Sequence, residues 1–564
     1  MRKPLPFRRT FFLFGRYGLW ATAAFSAPLW PQVLSPGDIV REVEPSRASE
    51  LPRLQTLPPR LLQPTEPKVG DATTRVREWK LEGNFAMDTA QLLKWLEPFT
   101  NVDLSIRQIN EAAAIVQQAY ADEGWLARVV VPAQDITEGV VTLRIVEGRL
   151  ARVLMDATAQ ANVDLELVRS IVQGDLQQGD VLRTDLVARG VLLADDLAGV
   201  SVAASYQPGE REGTTDVVLL ASPEPRTSLS VSVDNASSRS VGVERLIANF
   251  SVNSPFGRGE AINVVVSKTK GSTFARFGAT LPVGISGFKA NPFLSHMDYK
   301  VLTQLDNTGN SPNITGKVES YGIDASYPLI RQQTANLYLQ TGWRTSHYRT
   351  FANDVLDSRF NIQTGQVGLQ GNVLDNWGGG GLTTYSLAYH QGRKSSLLAK
   401  DENDPSEGGF HKWTWALARQ QMLGQGLTLY AAVQGQDTGN KPLDSAENMS
   451  LGGSTGVRAY PSGEGSGPKG RMAQLELRWR PNSQWQITPF YDYGRVSKRN
   501  DALREYSLKG YGLTVAWNGP NGWNAQATYA RRDGNNPNPN RETGKDQDGT
   551  LYRDRFWLSV NKAF

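Results

Sequence analysis

The chain has 564 residues, too many for one ordinary domain. Its 40% hydrophobic content, mean hydropathy of -0.39 and lack of any run of roughly twenty apolar residues exclude a bundle of membrane helices. The 60 Lys and Arg nearly balance 56 Asp and Glu, for a net charge of +4 without a segregated basic block, so nucleic acid is not an expected partner; the lack of cysteine removes thiol catalysis, thiolate metal sites and disulfides.

In chain order, residues 1–27 place Arg2, Lys3, Arg8 and Arg9 before an apolar stretch and the small residues Ser26 and Ala27, the layout of an export signal. The Arg8-Arg9 pair also resembles a twin-arginine signal, but that route carries folded cargo and a barrel cannot fold before it reaches its membrane. Residues 28–74 form a proline-rich linker with at most a short helix near 42–51. Residues 75–148 read as a compact α+β unit in the order βααββ: a strand at 76–81, helices at 88–95 and 105–123, and strands at 126–131 and 140–146. The same order returns at 149–223, with a strand at 151–154, helices at 163–172 and 183–193, and strands at 201–206 and 215–221, so one module of roughly 75 residues is present twice.

From 224 to 564 the helical patterns vanish. About sixteen candidate strands follow, near 227–235, 244–253, 260–268, 273–281, 297–305, 320–329, 336–346, 359–372, 383–391, 410–420, 428–436, 471–480, 486–494, 509–518, 524–531 and 555–564. Their length of about ten residues is what a tilted membrane strand needs. In the twelfth, Ala473, Leu475, Leu477 and Trp479 alternate with Gln474, Glu476, Arg478 and Arg480, which sends apolar groups to lipid and charge to a wet interior. In the last, Phe556, Leu558, Val560 and Phe564 oppose Trp557, Ser559, Asn561 and Ala563. Short turns at 255–260, 480–484 and 518–522 alternate with long polar connections at 392–409, 437–470 and 532–554, which puts both chain ends on the short-turn side. The connection at 284–295 is too long for that pattern.

The long loop 437–470 carries LGGSTGVRAY (451–460), and the thirteenth strand carries FYDYG (490–494). If Ile487, Pro489, Tyr491 and Tyr493 face outward, Asp492 projects into the lumen, where it can meet Arg458 at the tip of an inward-folded loop in a charge-assisted pair. The GGSTG run (452–456) matches a nucleophile-elbow pattern but lies in a glycine-rich loop leading to a strand, with no acid and histidine assignable to it; no phosphate loop of the GxxxxGK[ST] type is present either. The four histidines, His296, His347, His390 and His411, are scattered without ligand spacing, so neither a metal nor another cofactor is expected and the chain is not read as an enzyme.

Together, the Val457-Arg458-Ala459-Tyr460 tetrad, the Phe490, Asp492 and Gly494 pattern, the two βααββ modules and the terminal Phe564 resemble the outer-membrane transporters of two-partner (type Vb) secretion, the hemolysin secretion/activation proteins. Residues 120–148 look like the end of their first polypeptide-transport-associated (POTRA) module. The resemblance implies a transmembrane β-barrel of about sixteen antiparallel strands preceded by two α+β POTRA domains in the periplasm of a Gram-negative cell. It implies that Arg458 and Asp492 hold the sixth extracellular loop in the pore, and that the phenylalanine-terminated last strand is the signal read by the barrel-assembly machinery. The partners are then outer-membrane lipid and a large secreted exoprotein, hemolysin- or adhesin-like, moved unfolded from periplasm to cell surface. The commoner tetrad has Gly where Ala459 stands, and Pro45 interrupts the segment that could form a pore-plugging helix. Leu126, Arg128, Val129, Val130 and Val131, and Ser201, Val202 and Ala203, mark candidate strand edges for β-augmentation by cargo, although the valines equally suit a module core. A barrel insertase of the same superfamily would usually carry more modules, and a porin or receptor would need none.

Overall fold

A computed structural model describes residues 73–302, 313–398, 404–439, 441–497, 505–540 and 543–564; the export signal and nearly all of the proline-rich segment fall outside them. In the first module, β1 (Thr73–Val76) and β2 (Glu78–Glu82) divide what the sequence pattern reads as one strand, and β1 pairs with β3 (Val102–Ser105). That third strand escapes the pattern because its last residue, Ser105, also caps the next helix: its hydroxyl accepts from the Gln108 amide while the Gln108 side chain returns the bond. Helices α1 (Thr89–Leu96) and α2 (Ile106–Asp122) pack on a sheet of order β2-β5-β4, completed by β4 (Ala127–Val130) and β5 (Val140–Glu147). Leu92, Leu96, Ile109, Val116 and Tyr120 meet Val141 and Leu143 in its core.

The second module repeats the plan with β6 (Arg149–Met155), α3 (Leu165–Gln173), α4 (Thr184–Asp195), β7 (Val200–Pro208) and β8 (Thr214–Pro223), in sheet order β6-β8-β7. The two modules are stitched at Gly148, whose amide donates to the Leu126 carbonyl at 2.9 Å and whose carbonyl accepts from Leu182 at 2.8 Å. A Cβ there would sit 2.9 Å from a Leu126 methyl, so the junction needs glycine for close approach.

The remaining chain is a closed antiparallel barrel. Its first eight strands are β9 (Thr227–Asp234), β10 (Arg245–Asn253), β11 (Ala261–Lys268), β12 (Ser272–Val283), β13 (Phe288–Lys300), β14 (Ile314–Arg331), β15 (Ala335–Ala352) and β16 (Val355–Asp375). Next come β17 (Gly381–Ser396), β18 (Gly408–Gly424) and β19 (Leu427–Thr438), then a two-residue hairpin inside the sixth loop, β20 (Met449–Ser450) and β21 (Ser466–Gly467). The wall is finished by β22 (Lys469–Trp479), β23 (Trp485–Ser497), β24 (Glu505–Asn518), β25 (Trp523–Arg532) and β26 (Asp554–Ala563). The sixteen wall strands match the sixteen expected from alternation. Leu475, Leu477, Trp479, Phe556, Leu558 and Phe564 are exposed on the outer face, while Glu476 and Asp492 are buried on the inner one.

Two expectations are corrected. The supposed long connection at 284–295 is a short turn, because β13 begins at Phe288; its Lys-Ala-Asn-Pro start has poor strand propensity but is paired on both sides, with β12 and β14. Strands also exceed ten residues, reaching 21 in β16, so the wall rises beyond the membrane and the two ends of the expected loop at 392–409 belong to β17 and β18. The barrel closes by only five residue pairs between β26 and β9, from Ser559 opposite Asp234 to Ala563 opposite Ser230. Beyond them the Asn235 side chain takes over, accepting the Leu558 amide at 2.8 Å and donating to the Phe556 carbonyl at 3.0 Å.

The second module docks on the periplasmic rim. Asp196, just past α4, forms a two-pronged pair with Arg331 at the end of β14, both contacts 2.9 Å, and Lys289 donates to the Asp196 carbonyl at 2.7 Å. The turn at 254–260 completes the joint, its Gly257 and Gly259 carbonyls accepting from the Asp164 and Ala198 amides. Arg331 is 3% exposed and Asp196 16%, so removing the arginine leaves a half-buried carboxylate without its fork, a loss of about 1–3 kcal/mol. Arg331→Ala is expected to retain the heat-modifiable mobility of a closed barrel while spin-label distances between module and barrel broaden; an unaltered distribution would show that the pair does not hold the joint.

Candidate functional site

The sixth loop turns inward instead of standing above the rim. Its hairpin β20–β21 is extended by bonds from the Leu451 amide to Gly465 at 3.0 Å and from Gly452 to Glu464 at 2.8 Å. A tight return, with the Val457 amide on the Leu451 carbonyl at 2.6 Å and Tyr460 on Val457 at 3.0 Å, then presents Arg458 to the wall. Ser454 lies in this irregular loop with no helix after it, so the nucleophile-elbow geometry is absent.

Arg458 is buried, and Asp492 of β23 has no exposed surface. The guanidinium binds both carboxylate oxygens, Nε to Oδ2 at 2.9 Å and Nη2 to Oδ1 at 2.7 Å, and the Arg458 amide adds a third bond to Oδ2 at 3.0 Å. Its remaining prong lies 2.8 Å from Glu476 on β22, which is held in turn by Arg478 at 2.7 Å. Charges therefore alternate along Asp492, Arg458, Glu476 and Arg478, so no member of the row is left uncompensated in a shielded site. Phe490 closes the face of the guanidinium, its ring centre 3.5 Å from Cζ, and the Trp557 indole of β26 donates to the Arg458 carbonyl at 2.8 Å.

The other residues expected at this site converge on it. Val457 is fully buried beside Gly494, where a Cβ would come 2.9 Å from a Leu451 methyl. Tyr460 lies under the Arg532 guanidinium at 4.5 Å. Ala459 has no left-handed backbone, so the commoner glycine is not needed for conformation here. The wall instead supplies the room: a Cβ on Gly510 would fall 2.4 Å from that of Ala459.

Further anchors of the loop were not legible beforehand. On its entering limb Lys394 of β17 binds Asp444 at 2.7 Å and Asp404 at 2.6 Å, and Lys412 of β18 binds Glu447 at 2.7 Å. On its leaving limb Glu464 accepts the Gln547 amide at 2.9 Å and the Asn536 amide group at 3.2 Å, both from the eighth loop, and Arg532 donates to the Ala459 carbonyl at 3.1 Å while paired with Asp546. Inward lysines on β17 and β18 are readable from alternation, but nothing local names their partners.

Both candidate strand edges lie at sheet edges. Leu126 and Val131 fall outside β4, and the Leu126 backbone is occupied at the module junction. Val129 is buried in the core and its amide is taken by the Gln117 side chain at 3.2 Å; Val202 is likewise buried, with its amide on Asp195 at 2.8 Å. Arg128 is exposed and Val130 half-buried. Ser201 and Ala203 are exposed, and β7 continues exposed from Ala203 to Gln207. On the last strand Val560 is half-buried, and the Phe564 amide donates to the Leu229 carbonyl at 2.9 Å across the seam.

A sixteen-stranded barrel with a polar lumen, an inward loop clasped to its wall and two modules docked on one rim defines a protein-handling pore of the outer membrane. The model of the haemolysin secretion/activation protein ShlB/FhaC/HecB matches residues 213–517, and that of the ShlB-type POTRA domain matches 74–148. The chain belongs to this family of outer-membrane two-partner secretion transporters. It is similar to the heme/hemopexin transporter protein HuxB of Haemophilus influenzae (strain 86-028NP), 22% identical over 84% of each chain. It is also similar to the outer membrane transporter CdiB of Escherichia coli, 25% identical over 71% of this chain and 68% of the relative. The solved structure of CdiB from Escherichia coli superposes with a TM-score of 0.69 at 21% identity, covering 89% of this chain and 92% of that one.

Glu464 gives the clasp a pH dependence. It lies in the loop, fully buried, where loss of hydration raises its pKa to about 7, with Asp546 adding to the rise against the Gln547 hydrogen bond. The docked loop therefore binds this proton more tightly than a released loop would, so acid favours docking, and the preference is withdrawn as pH rises from the ordinary carboxylate range through about 7. Protease cleavage within the sixth loop is expected to be slower near pH ~5 than near pH ~8, and Glu464→Gln to flatten that difference; equal pH profiles for the two proteins would refute the assignment.

Proposed function

We propose that this protein takes an unfolded exoprotein from the periplasm and passes it through the barrel to the cell surface, with the Arg458 clasp setting the position of the sixth loop in the passage. Translocation of a partner exoprotein is what membership in the family provides; the residue roles are our own reading. The observation that carries it is the shielded row of Asp492, Arg458 and Glu476, because a loop held so firmly in a lumen must be placed there for the traffic. Cargo would first add as a strand to the exposed part of β7, where Ala204 and Tyr206 carry the same edge orientation as Val202 but their side chains are exposed. Backbone pairing tolerates many cargo sequences, as suits a long secreted chain of the hemolysin or adhesin kind. No nucleotide motif is present, so folding of the emerging cargo outside would provide direction. Phe556, Leu558, Val560 and Phe564 would be read by the barrel-assembly machinery during insertion.

Loss of one partner of the clasp costs about 3–5 kcal/mol of docking. Arg458→Ala is expected to yield an inserted, heat-modifiable barrel whose export of its partner falls roughly tenfold or more, while Arg458→Lys, a cation without the fork, recovers only part of it. Undiminished secretion by the alanine variant would remove the role assigned to the clasp. Deleting the gene should remove one extracellular protein; depletion of many membrane barrels would point to an insertase instead.

A further inference from the structure

On the outer wall, away from the pore, strand register stacks side chains into level rows. One outward row is Val264, Phe277, Leu294 and Tyr321, the last three well exposed and part of the lipid-facing band. Two rows nearer the extracellular rim, Lys268 stands opposite Thr273, then Asp298, Lys317, Arg349 and Arg359 on successive strands. Above it run Lys300, Thr315 and Phe351, with Lys270 at the top of the neighbouring hairpin. Rows lie about 7 Å apart along a strand, so at the usual tilt the basic row stands about 10 Å above the apolar one, at the depth of lipid headgroups.

Among the described residues, six cations meet three carboxylates here, Asp298, Glu319 and Asp357. Asp298 is shared between Lys317 at 3.6 Å and His296 at 2.9 Å, and Glu319 between Arg349 at 3.5 Å and His296 at 3.7 Å. Among the described residues Lys268, Lys270 and Lys300 have no carboxylate partner; Lys268 reaches only the Thr273 hydroxyl, at 2.5 Å. The three line an open cavity of about 330 Å³ together with Thr273, Thr315, Phe351 and Lys317, and with Asp298, whose charge Lys317 and His296 already offset. Exposed like charges crowded on a wall repel one another unless an anion sits between them. The cavity's lysines share the outward register of Phe277, Leu294 and Tyr321, so it faces away from the lumen, with that apolar row directly beneath it.

We propose that this cavity binds the phosphorylated headgroup of an outer-leaflet glycolipid. The ammonium groups hold phosphate oxygens, Thr273 and Thr315 meet sugar hydroxyls, and the acyl chains descend along Phe277, Leu294 and Tyr321. The barrel is thereby tethered to the outer leaflet on the side occupied by β11 to β16, which begins two strands from the β9–β26 seam.

The test uses the full chain in detergent, titrated with bisphosphorylated lipid A, with the same lipid after dephosphorylation, and with inorganic phosphate, read by native mass spectrometry. Replacing Lys268, Lys270 and Lys300 together by Gln leaves the ion pairs of Asp298 and Glu319 intact and is expected to weaken lipid A binding roughly a hundredfold. The wild type should hold the dephosphorylated lipid about as weakly. A charge-matched variant with Gln at Lys80, Lys94 and Lys545, all exposed elsewhere, should bind as the wild type does. Heat-modifiable mobility reports that each variant still forms a barrel. Unchanged binding by the cavity variant, equal binding of the dephosphorylated lipid, or displacement of lipid A by equimolar inorganic phosphate would each overturn the proposal.

Discussion

Hydrocarbon offers no partner to a backbone amide, and the rest of the architecture follows from that constraint. A wall made of strands must close on itself, which it does by five residue pairs at the seam with Asn235 standing in where β9 ends. Closure creates an interior, and the pleat sends every second side chain into it. The same geometry that makes the outside greasy therefore assembles carboxylates and guanidiniums inside, where they are shielded enough to bind strongly and must be paired to be tolerated.

The sixth loop exploits this interior. A single arginine is held by two carboxylates from adjacent strands and covered by Phe490, while the two limbs of the loop are tied to opposite parts of the lumen, through Lys394 and Lys412 on one side and through the eighth loop on the other. Distributed anchoring differs from a lone salt bridge: the tip is located by bonds on three sides, so its position is set to within a hydrogen-bond length. The glycines at 494, 510 and 512 are part of the device, since each leaves space on the wall that a side chain of the clasp fills.

The modules below use a comparable economy at their edges. Each free strand edge has one amide occupied by its own module, Gln117 on Val129 and Asp195 on Val202, which limits unspecific pairing, while the distal part of β7 stays exposed. The Asp196–Arg331 pair then fixes that edge relative to the rim. The exposed edge of β7 and the pore thus share one frame.

Period-two alternation is a local property, and it alone determined the number of barrel strands, their lipid and lumen faces, and the inward direction of Asp492. The tandem βααββ pattern, the Arg458 and Asp492 motifs and the aromatic end were legible for the same reason: each depends on neighbours a few residues away. Alternation did not find β3, because four residues that merge into a helix cap carry too little signal, nor the start of β13, where pairing on both sides overrides a sequence of low strand propensity. It could not join Lys394 to Asp444 across 50 residues, Glu464 to Gln547 across 83, or Asp196 to Arg331 across 135, nor set Lys268, Lys317, Arg349 and Arg359 of four strands at one height on the outer wall. Those contacts depend on register and on how loops fold back over a closed wall, and register is a relation between distant segments that only the assembled barrel decides.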